Sequence, residues 1–376
     1  MSPKGFAVLA GATALSLALA AYAVAGRDLP VTAAAQPEPM FEGLLDRLNE
    51  VETVRVTAGP EKLTLKRAGE GGWVVEERGG YPVEAAKVRE LALGVANLRL
   101  VEPKTATPDR LPRLELEDPA KAEAKSRQVE LLGKGGEVLA SAVVGKAKYG
   151  LYGAGRSGMY VRRGGEEQAW LAAGEFRVPA AAPELIEREL LDVPQAEVAR
   201  ATLGADGPSP LVVAKADPKA EAYTLEGAAP PPPGKRIDED KLERVADSLS
   251  KLSLQDVRPL AQVPFPADAP KARFETWDGL RLDVRVARTG EGDKAEHWVA
   301  LAVAEGAPLG PPEIPAAAAA GEAAAAPATP AKKPLAERAA EIRRKVDGWA
   351  FKLPEYLGSR LAWGAGDLLA DVEPAS

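Results

Sequence analysis

The chain has 376 residues and carries 48 Lys and Arg against 55 Asp and Glu, a formal net charge of −7. No global basic field is present to recruit nucleic acid. Cysteine is absent and histidine occurs once, which excludes disulfides, thiolate catalysis and multi-histidine metal centres.

The N-terminus is apolar. Lys4 precedes an uncharged run from Phe6 to Ala25, and Arg27 and Asp28 follow it. About twenty residues at ~1.5 Å each span ~30 Å, one hydrocarbon core. Residues 1–27 are expected to be a transmembrane anchor or a signal peptide. Ala23-Val24-Ala25 offers a small-x-small cleavage site, but the run exceeds the ~7–15 residues usual in a signal core, which favours the anchor. The expected place is the inner (cytoplasmic) membrane, single-pass, with the body in the periplasm. Cleavage would instead leave a free periplasmic or secreted body. Residues 28–43 form a Pro/Ala-rich stalk, too poor in large apolar residues to fold alone.

A first repeat is expected over 44–193. Val51 to Val56, Leu63-Thr64-Leu65-Lys66 and Trp73-Val74-Val75 predict strands, with a turn at Gly69 to Gly72. Val88, Leu91, Ala92, Val95 and Leu98 share one helix face. Gln128 to Leu132 and Val138 to Val144 predict a hairpin through Gly133-Lys134-Gly135-Gly136. Met159 to Arg163 and Gln168 to Leu171 predict another through Gly164-Gly165, and a short helix is expected over 183–191.

The second repeat, 194–376, follows the same plan. Val83 to Ala92 reappears as Ile237 to Ala246, and at that offset of 154 residues Val95, Leu98 and Leu100 match Leu249, Leu252 and Leu254. A period of that size marks domain-sized copies rather than solenoid units of ~20–50 residues. Strands are predicted at Val198 to Leu203, Leu211 to Ala214 and Tyr223 to Leu225, and a helix from Asp238 to Leu254. Arg273 to Trp277 and Leu280 to Val286 alternate strictly around Asp278-Gly279, the strongest hairpin signal in the chain. Trp298 to Val303 follows, then an Ala/Pro-rich low-complexity insertion at 305–334 and a helix from Leu335 to Val346. Meanders with packing helices, rather than alternating βαβ units, predict α+β: two tandem related lobes of antiparallel sheet behind one N-terminal transmembrane helix.

Few residues carry chemistry. Gly153 to Gly158 satisfies G-x-G-x-x-G, but a strand rather than a helix follows it, so a hairpin loop is expected. His297, alone beside Trp298, is expected at a strand rim. Glu115-Leu116-Glu117-Asp118, Glu166-Glu167 and Asp238-Glu239-Asp240 are expected to be solvated or capping carboxylates. Lys146, Lys148, Arg156, Arg162 and Arg163 gather around the Gly-rich loop. They are a candidate patch for an anionic polymer, lipid headgroups or an acidic partner; cations guarding strand edges explain them equally. No catalytic, cofactor or metal residues are assigned, and no cofactor is expected.

Several stretches resemble the domain-of-unknown-function 4340 family. These are Trp73-Val74-Val75 leading to a helix that ends Leu98-Arg99-Leu100-Val101, and Leu114-Glu115-Leu116-Glu117-Asp118-Pro119 before a hairpin ending Val144-Gly145. Met159-Tyr160-Val161 and the N-terminal span add to them. The likeness is best over Leu44 to Val193, with the second repeat as its echo. One departure is local: family members tend to carry a Gly-containing turn where this chain has Leu114-Glu115-Leu116. The resemblance implies a membrane-anchored envelope protein without established catalytic residues, often encoded beside ABC transporters of the gliding-motility or auxiliary type. It therefore implies a non-enzymatic accessory or interaction subunit, with the membrane and transporter subunits as partners. The alternatives are a free periplasmic glycan- or lipid-binding module after cleavage near Ala25, or an envelope hydrolase using a carboxylate pair.

Overall fold

A computed structural model of the protein describes residues 37–69, 71–150, 157–227, 229–292, 295–310 and 333–372. The expected anchor over 1–27 lies outside these residues, as do most of the stalk and most of the 305–334 insertion. Among the described residues no helix is long and apolar enough to cross a membrane.

The elements begin with β1 (Glu38–Pro39), β2 (Thr53–Ala58), β3 (Glu61–Ala68), β4 (Gly72–Val75), β5 (Tyr81–Val83) and helix α1 (Ala85–Ala96). Next come β6 (Arg99–Pro103), β7 (Arg127–Leu132), β8 (Val138–Lys148), β9 (Gly158–Arg163), β10 (Ala169–Ala173) and β11 (Glu189–Leu191). Then follow β12 (Val198–Leu203), β13 (Leu211–Ala214), β14 (Thr224–Glu226), β15 (Lys235–Ile237), α2 (Glu239–Ala246), β16 (Leu252–Ser253) and β17 (Asp256–Pro259). The chain closes with β18 (Lys271–Thr276), β19 (Leu280–Thr289), β20 (Glu296–Glu305), α3 (Leu335–Val346), β21 (Trp349–Leu353), α4 (Glu355–Leu361) and β22 (Leu369–Asp371). The class is α+β with antiparallel sheets. Two compact units result: Met1–Pro60 with Arg89–Val178, and Glu61–Val88 with Pro179–Ser376.

In the first unit the strand order is β1-β6-β10-β9-β8-β7-β2, every neighbour antiparallel. Alternation drives it: Val54 and Val56 of β2, and Val129 and Leu131 of β7, point inward and are fully buried. On α1, Leu91 and Val95 are buried one turn apart. Gly94 of the same helix meets Phe176 so closely that a Cβ would lie 2.3 Å from the ring. A second cluster forms where a 3-10 turn, Pro108–Leu114, sets Leu111 and Leu116 against Val143 and Ala169. Beyond that turn Glu115 has φ 56, the left-handed conformation that favours glycine. The β8–β9 pair bulges between Val144 and Ala147. Gly145 lies in the bulge beneath the Glu115 turn, where a Cβ would sit 2.3 Å from the Leu114 carbonyl oxygen and 2.4 Å from that of Glu115.

In the second unit the order is β14-β13-β12-β18-β19-β20-β21-β17, again antiparallel throughout. Phe274 and Phe351 are fully buried in this unit, and Trp298 is buried in a cluster with Val263, Ala287 and Ala350. The hairpin expected at Asp278-Gly279 is present, with Gly279 at φ 93 and no room for a Cβ beside the Gly306 carbonyl oxygen (2.5 Å). Arg338 of α3 ties this turn down, reaching Asp278 at 2.6 Å and Glu197 at 2.7 Å. The meander β3-β4-β5 belongs to the same unit. Arg78 pairs with Asp256 at 2.8 Å, and the Tyr81 ring stands edge-on to Trp349 at 4.9 Å.

Two predicted helices change form. Asp238 does cap a helix, accepting from the Lys241 N–H at 3.3 Å, but the helix gives way after Ala246 to a 3-10 turn, Asp247–Leu249. Lys251 then takes φ 47, and Leu252 opens β16. Over 183–191 the chain forms a 3-10 turn at Ala182–Glu184 followed by β11. Its apolar pair Leu190 and Leu191 is spaced too closely to fix a helix face. The helix from Leu335 to Val346 stands as expected.

One order recurs. β6-β10-β9-β8-β7-β2 in the first unit has the same succession as β17-β21-β20-β19-β18-β12 in the second.

Candidate functional site

The sequence-clustered cations part company in the fold. Lys146 and Lys148 are exposed on β8, two residues apart and so on one face. Arg162 and Arg163 are successive on β9 and therefore leave on opposite faces. Arg162 donates to the carbonyl oxygens of Leu116 (2.9 Å) and Glu166 (3.1 Å), and burial holds its pKa below the usual guanidinium value. Arg163 donates twice to the Met40 carbonyl oxygen, at 3.1 and 2.9 Å. Both arginines fasten loops, while the two lysines face solvent. Arg156, like Gly153 and Gly155 of the Gly-rich string, lies outside the described residues.

His297 is buried rather than at a rim, 7 % exposed. It is the second residue of β20, opposite Arg288 of β19 and Leu353 of β21. Its side chain covers Gly358 of α4 so closely that a Cβ there would fall 2.2 Å from the histidine Cβ. Burial, with Arg288 adding, holds the imidazole pKa below its ordinary value, and Glu355 opposes them. Nδ1 has no hydrogen-bond partner among the described residues.

Among the described residues no group of three His, Cys, Asp or Glu side chains could hold a metal ion. Glu296 and Glu341 are both held below the usual carboxylate range, chiefly by hydrogen bonds from Lys352 and Lys333 respectively. A general acid needs the opposite displacement.

Two clefts open in the second unit. One, of about 320 Å³, lies against the outer face of β18 and β19. Its charges are committed to one another: Arg273 meets Asp283 at 2.5 Å and Asp206 at 3.4 Å, and Lys271 meets Asp206 at 3.4 Å. Arg285 stacks over Phe265 at 5.1 Å. This ladder is built to close the sheet face.

The other cleft, of about 480 Å³, is walled by β5, the approach to β11, the last turns of α3 and the start of β21. Tyr81 and Trp349 supply its aromatic surface. Tyr81 is 8 % exposed. Burial, helped by the negative charge of Glu187, pushes the phenol pKa up to about 12. Glu187 pairs with Lys345 at 3.1 Å. Glu84 pairs with Lys87 at 2.6 Å and Glu341 with Lys333 at 2.5 Å, so these carboxylates are each balanced by a lysine. Glu189 and Arg344 also line the cleft and form no ion pair among the described residues. The residues that meet here lie far apart in the chain, and no local motif joins them.

The family model described as Domain of unknown function (DUF4340) matches residues 73–274. No curated protein and no solved structure matches the chain.

Proposed function

Because the chain belongs to the DUF4340 family, we propose that it is a non-enzymatic, membrane-tethered periplasmic accessory protein built from two tandem copies of one α+β fold. It serves an ABC-transporter-like envelope complex. The observation that carries the duplication is the recurring succession β6-β10-β9-β8-β7-β2 and β17-β21-β20-β19-β18-β12. Supporting it, the matched helix positions are buried in both copies: Val88, Leu91, Val95 and Leu98 beside Leu242, Val245, Leu249 and Leu252. The meanders match as well. Arg67 lies over Trp73 at 5.4 Å in one, and Lys215 over Tyr223 at 4.6 Å in the other. The tether rests on the apolar run Phe6 to Ala25, and the partner rests on family resemblance alone.

In this mechanism the anchor and stalk hold the lobes at the membrane, where effective concentration replaces intrinsic affinity. Intact mass and membrane fractionation of the natively expressed protein, followed by cross-linked pull-down, test it. Full-length mass in the membrane fraction, with transporter subunits captured, is expected. A soluble mature protein beginning near Gly26 and captured alone overturns the accessory reading in favour of a free binding module.

A further inference from the structure

We propose that the cleft between β5, β11 and α3 is a binding site for an uncharged saccharide, its ring lying against Trp349 and its hydroxyls held by Tyr81, Glu189 and Arg344. The inference does not depend on the tether or on any transporter partner. Three properties of the cleft lead to it.

Its size comes first: about 480 Å³ is within the ~300–1,000 Å³ of small-molecule sites. Its surface comes next. A half-buried indole beside a buried phenol offers a flat face with negative quadrupole. The polarised C–H groups on one side of a pyranose carry the complementary positive charge, so ring and indole attract without a formal ion. Its polar groups are the third property. The Tyr81 ring is mostly buried while the residue lines the cleft, so its hydroxyl is open to water or to a ligand there. The raised pKa keeps the phenol protonated across the physiological range, so it can both donate and accept. Glu189 adds a pure acceptor and Arg344 a fork of donors, a combination that suits neighbouring hydroxyls on one ring.

Charge balance selects against ionic ligands. Glu84, Glu187 and Glu341 are each paired with a lysine, and Glu189 is offset by Arg344. A net cation or anion would meet as much repulsion as attraction here, and a neutral polar molecule would not.

The test is saturation-transfer NMR and calorimetry on the full-length protein, in a detergent whose headgroup is not a sugar. The probes are maltotriose and tri-N-acetylglucosamine, with choline and citrate as charged controls. Saturation of one trisaccharide by the protein is expected, with the charged controls silent. Trp349→Ala should weaken that binding about ten-fold or more, and Tyr81→Phe about three- to ten-fold, in line with one ring contact and one hydrogen bond. Because Trp349 also packs on Tyr81, Glu189→Ala provides an exposed substitution that leaves the core intact and should weaken binding by a few-fold. Silence of both trisaccharides overturns the proposal, as does binding that Glu189→Ala and Tyr81→Phe leave unchanged. A response to choline or citrate that exceeds the response to the sugars also overturns it, and would mark the cleft as an ion site.

Discussion

β8–β9 and β19–β20 occupy the same place in the two strand orders, yet they are built differently. β19 and β20 run in unbroken register for ten pairs, from Leu280↔Glu305 to Thr289↔Glu296. β8 and β9 lose register between Val144 and Ala147. The physical difference is what presses on them. In the first unit the Leu114–Glu115 turn comes down onto the strand, and its carbonyls occupy the space where a Cβ at Gly145 would stand. In the second unit Arg338 fastens the preceding β18–β19 turn through Asp278, and the β19–β20 pair stays regular. One succession of strands therefore tolerates a bulge or a straight ladder, according to the loop laid across it.

Breaking that difference at its source should give the largest effect. Gly145→Ala forces a methyl into two backbone carbonyls that cannot rotate away, and a loss of ~3 kcal/mol or more is expected. Urea denaturation should show it, and hydrogen exchange should place the loss in the first unit. The end of α1 and the 3-10 turn that follows α2 give a second comparison. Gly94 and Ser248 correspond at the 154-residue offset, and each is close-packed: Gly94 against Phe176, Ser248 1 % exposed with its hydroxyl donating to the Arg244 carbonyl oxygen at 3.1 Å. Alanine is the better helix former than either. Even so, Gly94→Ala should cost ~2 kcal/mol, because the Phe176 side chain must move. Ser248→Ala should change stability by no more than ~1 kcal/mol, the value of one hydrogen bond. Equal effects at the two sites would mean that the Phe176 contact does not set Gly94 apart from Ser248.

The smallest expected effect separates the units by pH. The chain's one histidine lies in the second unit, and its folded-state pKa is depressed below the ordinary 6.5. The unfolded chain then binds the proton more readily, so acid favours unfolding. Stability of the second unit should be complete above about pH 6.5 and decline as pH falls from there through the folded-state pKa. A His297→Gln variant should flatten that decline, measured as the urea midpoint across pH 5 to 7.5, roughly the range in which histidine titrates.

Regular elements were legible because their periods are long enough to count. Strict alternation over Arg273 to Val286 predicts the β18–β19 hairpin, and the helix expected from Leu335 to Val346 coincides with α3. Several strands of two or three residues, among them β1, β11, β15, β16 and β22, display no period. They form because partners from elsewhere in the chain lie alongside, as Leu191 opposite Leu252 illustrates. Charge clustering misled for a related reason. Neighbours in a strand point apart, so Arg162 and Arg163 could not both join a patch with Lys146 and Lys148. The large cleft was invisible to any local pattern, since Tyr81, Glu189 and Trp349 meet only through tertiary packing.

The membership of Glu61–Val88 in the second unit also bears on how the chain is made. A protein that emerges from its N-terminus passes β3, β4 and β5 long before β17 and β21 exist. Tyr81 then waits, uncovered, for Trp349 and Phe351. Closing so wide a loop is entropically slow. The second unit can be completed only near the end of synthesis, whereas the segments of the first are all present by Val178. In the interval an unshielded meander, rich in strand-forming side chains, is the part of the nascent chain most in need of a chaperone.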